Sequence, residues 1–156
     1  MSVVDLLDLP HTAPPRTPFL GLDLGEKTIG VAASDLRRTI ASPLELIRRT
    51  KFSQDVERIF TLMEGRGAGG LVIGLPINMD GTEGGRCQSV RAFARNLLRL
   101  RDLPIAFWDE RLSTAAVQRM LTAEADLTRH RRLELVDKAA AAYILQGALD
   151  RLAAAG

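Results

Sequence analysis

Four acids in this sequence stand against apolar neighbours: Asp23, Asp109, Glu110 and Asp137. Asp23 falls in "FLGLDLGEKTIGVAAS" (19–34), where an apolar strand runs into a glycine turn, on the same side as Gly21, whose missing side chain leaves room. A carboxylate buried there costs several kcal/mol unless something pairs with it. Asp109 and Glu110 close the run "LPIAFWDE" (103–110). Strand alternation sends them to opposite faces, so only one of the two shares a site with Asp23. Asp137 has Ala140, Ala141 and Ile144 at i+3, i+4 and i+7, which places it on the helix face that packs against a sheet. Hard divalent cations take oxygen ligands, and metal-assisted phosphoryl chemistry needs carboxylates converging on one point. Each acid also has an ordinary reading. Asp23 could cap backbone N–H groups in a turn, Asp109 could be a loop acid, and Asp137 could complement the helix macrodipole. Asp35 and Asp80 read as turn residues.

A second set of residues suits phosphate. "GLPINMDGTEGGR" (74–86) is a glycine-rich loop opening a helix, where free N–H groups and the positive dipole end favour an anion. It lacks the Gly-Lys-Ser/Thr ending of a Walker loop, so it is not a nucleotide cradle of that type. Beyond Arg86, Arg91, Arg95 and Arg99 recur every four residues away from the apolar side of the helix. Such a stripe suits a sugar–phosphate backbone, and it is equally what a solvated helix face looks like. The same two readings apply to Arg129, Arg131 and Arg132, with His130 read as exposed.

These residues need elements to hold them. The sequence predicts strands over 18–24 and 28–34 around a turn at Gly25, then a third over 39–49, together an antiparallel meander. Helix 53–65 carries Val56, Ile59, Phe60 and Met63 on one face and ends at Gly65 and Gly67. A buried strand follows (69–76), then helix 84–101 with Val90, Phe93, Ala94, Leu97 and Leu98 inward, and strand 103–110. A helix over 113–123, capped by Ser113 or Thr114, leads through the basic segment 124–132 to a last helix over about 133–153. The fold class is α/β, with a mixed five-stranded sheet of three meander strands and two further parallel strands, flanked by helices.

Composition bounds the function. The chain has 156 residues, 46% of them hydrophobic, which suits one globular domain. The formal charge of +2 does not by itself imply nucleic acid, although eighteen of the 21 basic residues are Arg, the side chain that binds phosphate bidentately. No apolar run approaches the ~20 residues of a membrane span. The start, "MSVVDLLDLPHTAPPRTP", has neither the basic nor the apolar region of a secretory signal. Its prolines predict a flexible arm over 1–17 ahead of the domain at 18–156. One cysteine and two histidines exclude an internal disulfide and argue against structural zinc. A cytoplasmic protein is expected.

Four separated blocks now carry a likeness: "DLGEKTIGVA" (23–32), "VIGLPINMDGTEG" (72–84), "DERLST" (109–114) and "VDKAAAAYIL" (136–145). From about 18 to 152 the chain resembles the YqgF/RuvX group, relatives of the RuvC resolvases with an RNase H-like fold. The resemblance implies a nuclease whose acidic site is Asp23, Glu110 and Asp137, favouring Glu110 over Asp109, and holding one or two Mg²⁺ or Mn²⁺ ions. The second block would lie beside it, with Lys27, Asn78, Arg86, Arg91, Arg95 and Arg99 as nucleic-acid contacts. Lys138, after Asp137, departs from the small or polar residue the family pattern leads one to expect. Implied substrates are the 5′ end of precursor 16S rRNA, favoured, or branched DNA as in a Holliday junction resolvase or repair nuclease, with the protein a monomer or homodimer. Two rival classes are a non-catalytic nucleic-acid-binding module and an actin-like or sugar-kinase ATPase, whose first phosphate loop "GLDLGEKTIGVA" resembles. The latter folds need two such domains around a cleft, and the length holds one.

Overall fold

The computed structural model describes residues 2–112 and 129–156, and for 129–138 the backbone alone. The helix expected over 113–123, its caps Ser113 and Thr114, and most of segment 124–132 lie outside the described residues.

The first described residues pack on the domain. A 3₁₀ turn (Leu6–Asp8) runs into the short helix α1 (Leu9–Thr12). Pro10 fits there because the first helical positions need no N–H. Leu9 is fully buried, and the Val4 N–H donates to the Ile105 carbonyl at 2.8 Å. Arg38, with a positive φ of 59°, clamps the segment: its guanidinium donates to the carbonyls of Thr17 and Pro14 and lies 4.1 Å from the centre of the Phe19 ring. Prolines forbid ladder pairing, and they do not forbid burial.

The sheet has the order β3-β2-β1-β4-β5. β1 (Phe19–Leu24) pairs antiparallel with β2 (Thr28–Ser34), and the Gly25 N–H closes the turn on the Thr28 carbonyl at 2.9 Å. β2 pairs antiparallel with the edge strand β3 (Ala41–Arg48), where Pro43 is tolerated because one side needs no donors. On the other flank β1 pairs parallel with β4 (Gly70–Leu75), and β4 with β5 (Ile105–Asp109). This is the mixed sheet the sequence predicts.

Helices α2 (Phe52–Arg66) and α3 (Gly85–Leu100) cover one face. There Val56, Ile59, Val90, Phe93 and Leu97 meet Leu20, Leu22, Leu71, Ile73 and Ile105. Gly67, at φ 65°, ends α2, with its own N–H on the Glu64 carbonyl and that of Ala68 on Met63, the left-handed cap that glycine permits. The long helix α4 (Arg129–Ala155) and the first residues cover the other face. Arg129–Arg132, the described part of the basic segment, are helical.

Two contacts fix the direction of α4. Ala141 and Leu145 pack at Gly21, in the middle of β1. Gln146 Oε1 accepts the Ala41 N–H at 2.8 Å, and Ala41 pairs with Ser34, at the edge where β1 begins. The helix therefore runs against β1 and carries its earlier residues towards the edge where β1, β4 and β5 end. No helix among the described residues is long and apolar enough to cross a membrane.

Candidate active site

Asp23 is the penultimate residue of β1, and Glu110 opens a 3₁₀ turn (Glu110–Leu112) directly after β5. Alternation puts both on the α4 face, at the edge shared by the parallel strands. Their carboxyl groups are hydrogen-bonded to each other. Burial, then the negative charge of Asp23 and that hydrogen bond, push Glu110 up to about 7 from its ordinary 4.5, while the nearby Arg86 guanidinium opposes the rise. Two carboxyls sharing a pocket cannot both ionise freely.

The space for Glu110 comes from β4. A Cβ on Gly74 would lie 2.5 Å from Glu110 Oε1 and 2.6 Å from Ile144 Cδ1. Sequence reasoning quoted Gly74 in its loop and missed this role; the available signal was a glycine inside an otherwise apolar run. It looked instead to Gly21 for room beside Asp23. That space is filled, since a Cβ on Gly21 would meet Leu145 Cβ at 2.8 Å and the Ala141 carbonyl at 3.1 Å. Gly21 lets the helix approach, and Gly74 admits the carboxylate.

Asp109 points the other way. Its carboxylate takes the Arg111 N–H at 3.0 Å and the guanidinium at 2.6 Å, and this pairing holds it below the usual carboxylate range. Arg111 in turn reaches the Asn78 carbonyl at 3.4 Å. Asp109 thus ties the end of β5 to the loop after β4. Asp35 and Asp80 are turn acids, as expected. Asp35 accepts from the Thr39 and Ile40 N–H groups, which lower it to about 2, and Asp80 accepts from Thr82.

The glycine-rich loop is internally braced. The Asn78 N–H meets the Thr82 carbonyl, the Asn78 side chain meets the Thr82 hydroxyl, and Gly81 turns at φ 89°. Asn78 is therefore engaged in shaping the loop. A cleft of about 370 Å³ lies between this loop and Glu110, lined also by Met79, Gly85, Arg86 and Arg111. Arg86, exposed on the first turn of α3, brings positive charge to it.

The basic stripe does not consist of three equivalent cations. Arg91 is paired bidentately with Glu83 at 2.7 and 2.9 Å and lies over Phe107. Arg95 and Arg99 are exposed, as is Lys27 in the β1–β2 turn. The side chain of Asp137, like those of Arg129, His130, Arg131, Arg132 and Lys138, lies outside the described residues. Its backbone belongs to α4, which leads it towards the edge of Asp23 and Glu110. Among the described residues no three His, Cys, Asp or Glu side chains form a metal-binding group. The Asp23–Glu110 pair offers oxygen donors only, and burial and mutual repulsion hold it short of full ionisation at neutral pH. A hard divalent cation fits both features.

A sequence model of the RuvX family, described as Holliday junction resolvase, matches residues 17–151. The chain is 73% identical over 153 residues to a protein of Phenylobacterium zucineum, covering 97% of this chain and 98% of that one. It is 64% identical over 153 residues to one of Caulobacter vibrioides (strain NA1000 / CB15N), with the same coverage of 97% and 98%. Both carry the name "Putative pre-16S rRNA nuclease". Among solved structures, RuvC of T. thermophilus in complex with Holliday junction substrate shares the fold, with a TM-score of 0.53 at 13% identity over 87% of this chain and 96% of that chain.

Proposed function

Because the chain belongs to the RuvX family, a group of resolvase-like nucleases, we propose that Asp23, Glu110 and Asp137 form the acidic centre of a divalent-metal-dependent phosphodiester hydrolase that matures precursor 16S rRNA in the cytoplasm. The observation that carries the reading is the contact between the Asp23 and Glu110 carboxyls beside a cleft rimmed by Arg86 and Arg111. A core that merely needed filling would place apolar groups there. The names of the relatives favour RNA, and the family description makes branched DNA the second reading.

Asp23, Glu110 and Asp137 would hold Mg²⁺ or Mn²⁺, which when bound supplies Lewis-acid stabilisation of phosphate charge and a water of lowered pKa. The protein's own groups do the rest. Glu110 holds a proton shared with Asp23 near neutral pH and gives it up as a cation enters. Arg86 and the first N–H groups of α3, which no side chain caps, orient a phosphate at the mouth of the cleft. The Asp109–Arg111–Asn78 chain keeps the loop wall in place, so the substrate strand meets a preformed surface.

The test is cleavage with Mg²⁺ or Mn²⁺ of a precursor 16S RNA, a four-way DNA junction and single-stranded DNA, using the intact chain beside Asp23→Asn. Metal-dependent trimming of the RNA, lost in the variant, is the expected result. Junction cleavage alone would select the second reading, and no cleavage of any substrate would overturn the nuclease assignment.

A further inference from the structure

A second cleft, of about 460 Å³, opens on the other side of Arg86. Its floor is apolar, made by Leu24 at the end of β1 and by Val90 and Phe93 on α3. Its rim is polar, with Arg49 after β3, Arg86 and Ser89 on α3, and Glu26 in the β1–β2 turn. Gly85 and Arg86 line both clefts, so the two adjoin at the first turn of α3. The volume is that of a small-ligand site.

Arg49 is tethered rather than loose. Its Nη1 donates to the Gly25 carbonyl at 2.6 Å, and its backbone N–H donates to the Lys27 carbonyl at 2.8 Å. Its guanidinium stands 5.8 Å from the centre of the Phe93 ring. One donor of five is used by Gly25, leaving four in a fixed fork, and a guanidinium held in place loses less freedom on meeting a phosphate. Two guanidiniums above an apolar floor match the two halves of a nucleotide. Glu26 repels phosphate from its own part of the rim.

We propose that this second cleft takes the unpaired nucleotide next to the cleaved position of the substrate strand, its phosphate between Arg49 and Arg86 and its base or sugar against Leu24, Val90 and Phe93. The proposal rests on the nuclease reading for the identity of the neighbouring site. It makes the protein selective for a strand that is single on this side of the cut, since a paired base would first have to unpair and unstack, at a cost in free energy.

Binding, read separately from cleavage, tests it. Fluorescence anisotropy in EDTA would follow a short labelled oligoribonucleotide and the same sequence as a blunt duplex, against the intact chain, Arg49→Gln and Ser89→Trp. Ser89 is exposed on α3, so the tryptophan fills the cleft while leaving the Arg49–Gly25 tether intact, and thermal midpoints confirm that both variants fold. The single strand should bind the intact chain at least about fivefold more tightly than the duplex. Each variant should weaken single-strand binding roughly fivefold to tenfold, and Arg49→Gln should flatten the slope of log K against log[salt] by about 0.7, one phosphate's share on a single strand. The double variant should lose less than the product of the two, because both act on one site. Folded variants that bind like the intact chain would overturn the cleft and leave the nuclease reading standing. An intact chain that binds as described and cuts nothing would overturn the nuclease reading alone.

Discussion

Glu110→Gln should make the metal-free protein more stable at pH 8 than the wild type, and the difference should vanish at pH 4.5. The Glu110 carboxyl is raised from its ordinary 4.5 to about 7 in the folded chain. Between these values the folded state binds more protons than the unfolded state, so stability falls as pH rises through the interval. Each unit is worth about 1.4 kcal/mol, so the rise to about 7 sets a ceiling of roughly 3 kcal/mol. Water at the cleft mouth screens part of this, leaving about 1–2 kcal/mol. For a chain of this size that is a shift of roughly 2–8 °C in thermal midpoint. Glutamine keeps the shape and can donate to Asp23, but it carries no charge to repel it.

The assay is thermal denaturation in EDTA from pH 4.5 to 8, repeated with Mg²⁺ or Mn²⁺. The wild-type midpoint should fall across that range more steeply than the variant's. Metal should restore the wild type at pH 8, because a cation that binds only the folded state adds stability by mass action. The variant, having lost an ionised ligand, should gain less. Parallel pH profiles in EDTA would show that Glu110 is not held out of ionisation by burial and by Asp23, and the reasoning from the buried carboxyl pair would be refuted.

The other predictions concern residues around the pair. Asp109→Asn should keep substantially more cleavage activity than Glu110→Gln, because Asp109 acts through Arg111 and the loop; equal loss in a cleavage assay would place Asp109 in the site. Gly74→Ala should leave the fold intact while weakening metal binding by calorimetry, since the added methyl meets the flexible ends of Glu110 and Ile144 at 2.5 and 2.6 Å. Leu9→Ala should cost about 2–5 kcal/mol in urea unfolding, as for other buried leucines; no change would mean that the first residues do not dock. Replacing Arg95 and Arg99 with Gln should reduce the salt dependence of nucleic-acid binding more than Arg91→Gln does, because Arg91 is already paired with Glu83.

The sheet was legible because its strands carry opposite signatures. β1 and β2 flank a glycine turn, while β4 is buried along its whole length and reads as an unbroken apolar run, the mark of a parallel strand covered on both faces. That same feature hid Gly74, since a run without alternation does not say which residue faces which side. Asp23 stood out as a lone acid in an apolar strand. Choosing Glu110 over Asp109 needed the phase of β5 relative to β1, and alternation supplies only the statement that the two acids diverge; the resemblance chose between them. Pairings that cross from loop to helix were out of reach for a related reason. Glu83 lies in the loop before α3, so no helical period relates it to Arg91, and a face that looked uniformly basic contains an ion pair. Prolines report on hydrogen-bond ladders and say nothing of burial, and what holds the described first residues is the burial of Leu9 and the clamp of Arg38. Periodicity therefore locates a residue within its own element. Where two elements meet, as at Gly74 and Glu110, the deciding quantity is the space left by one for the side chain of the other.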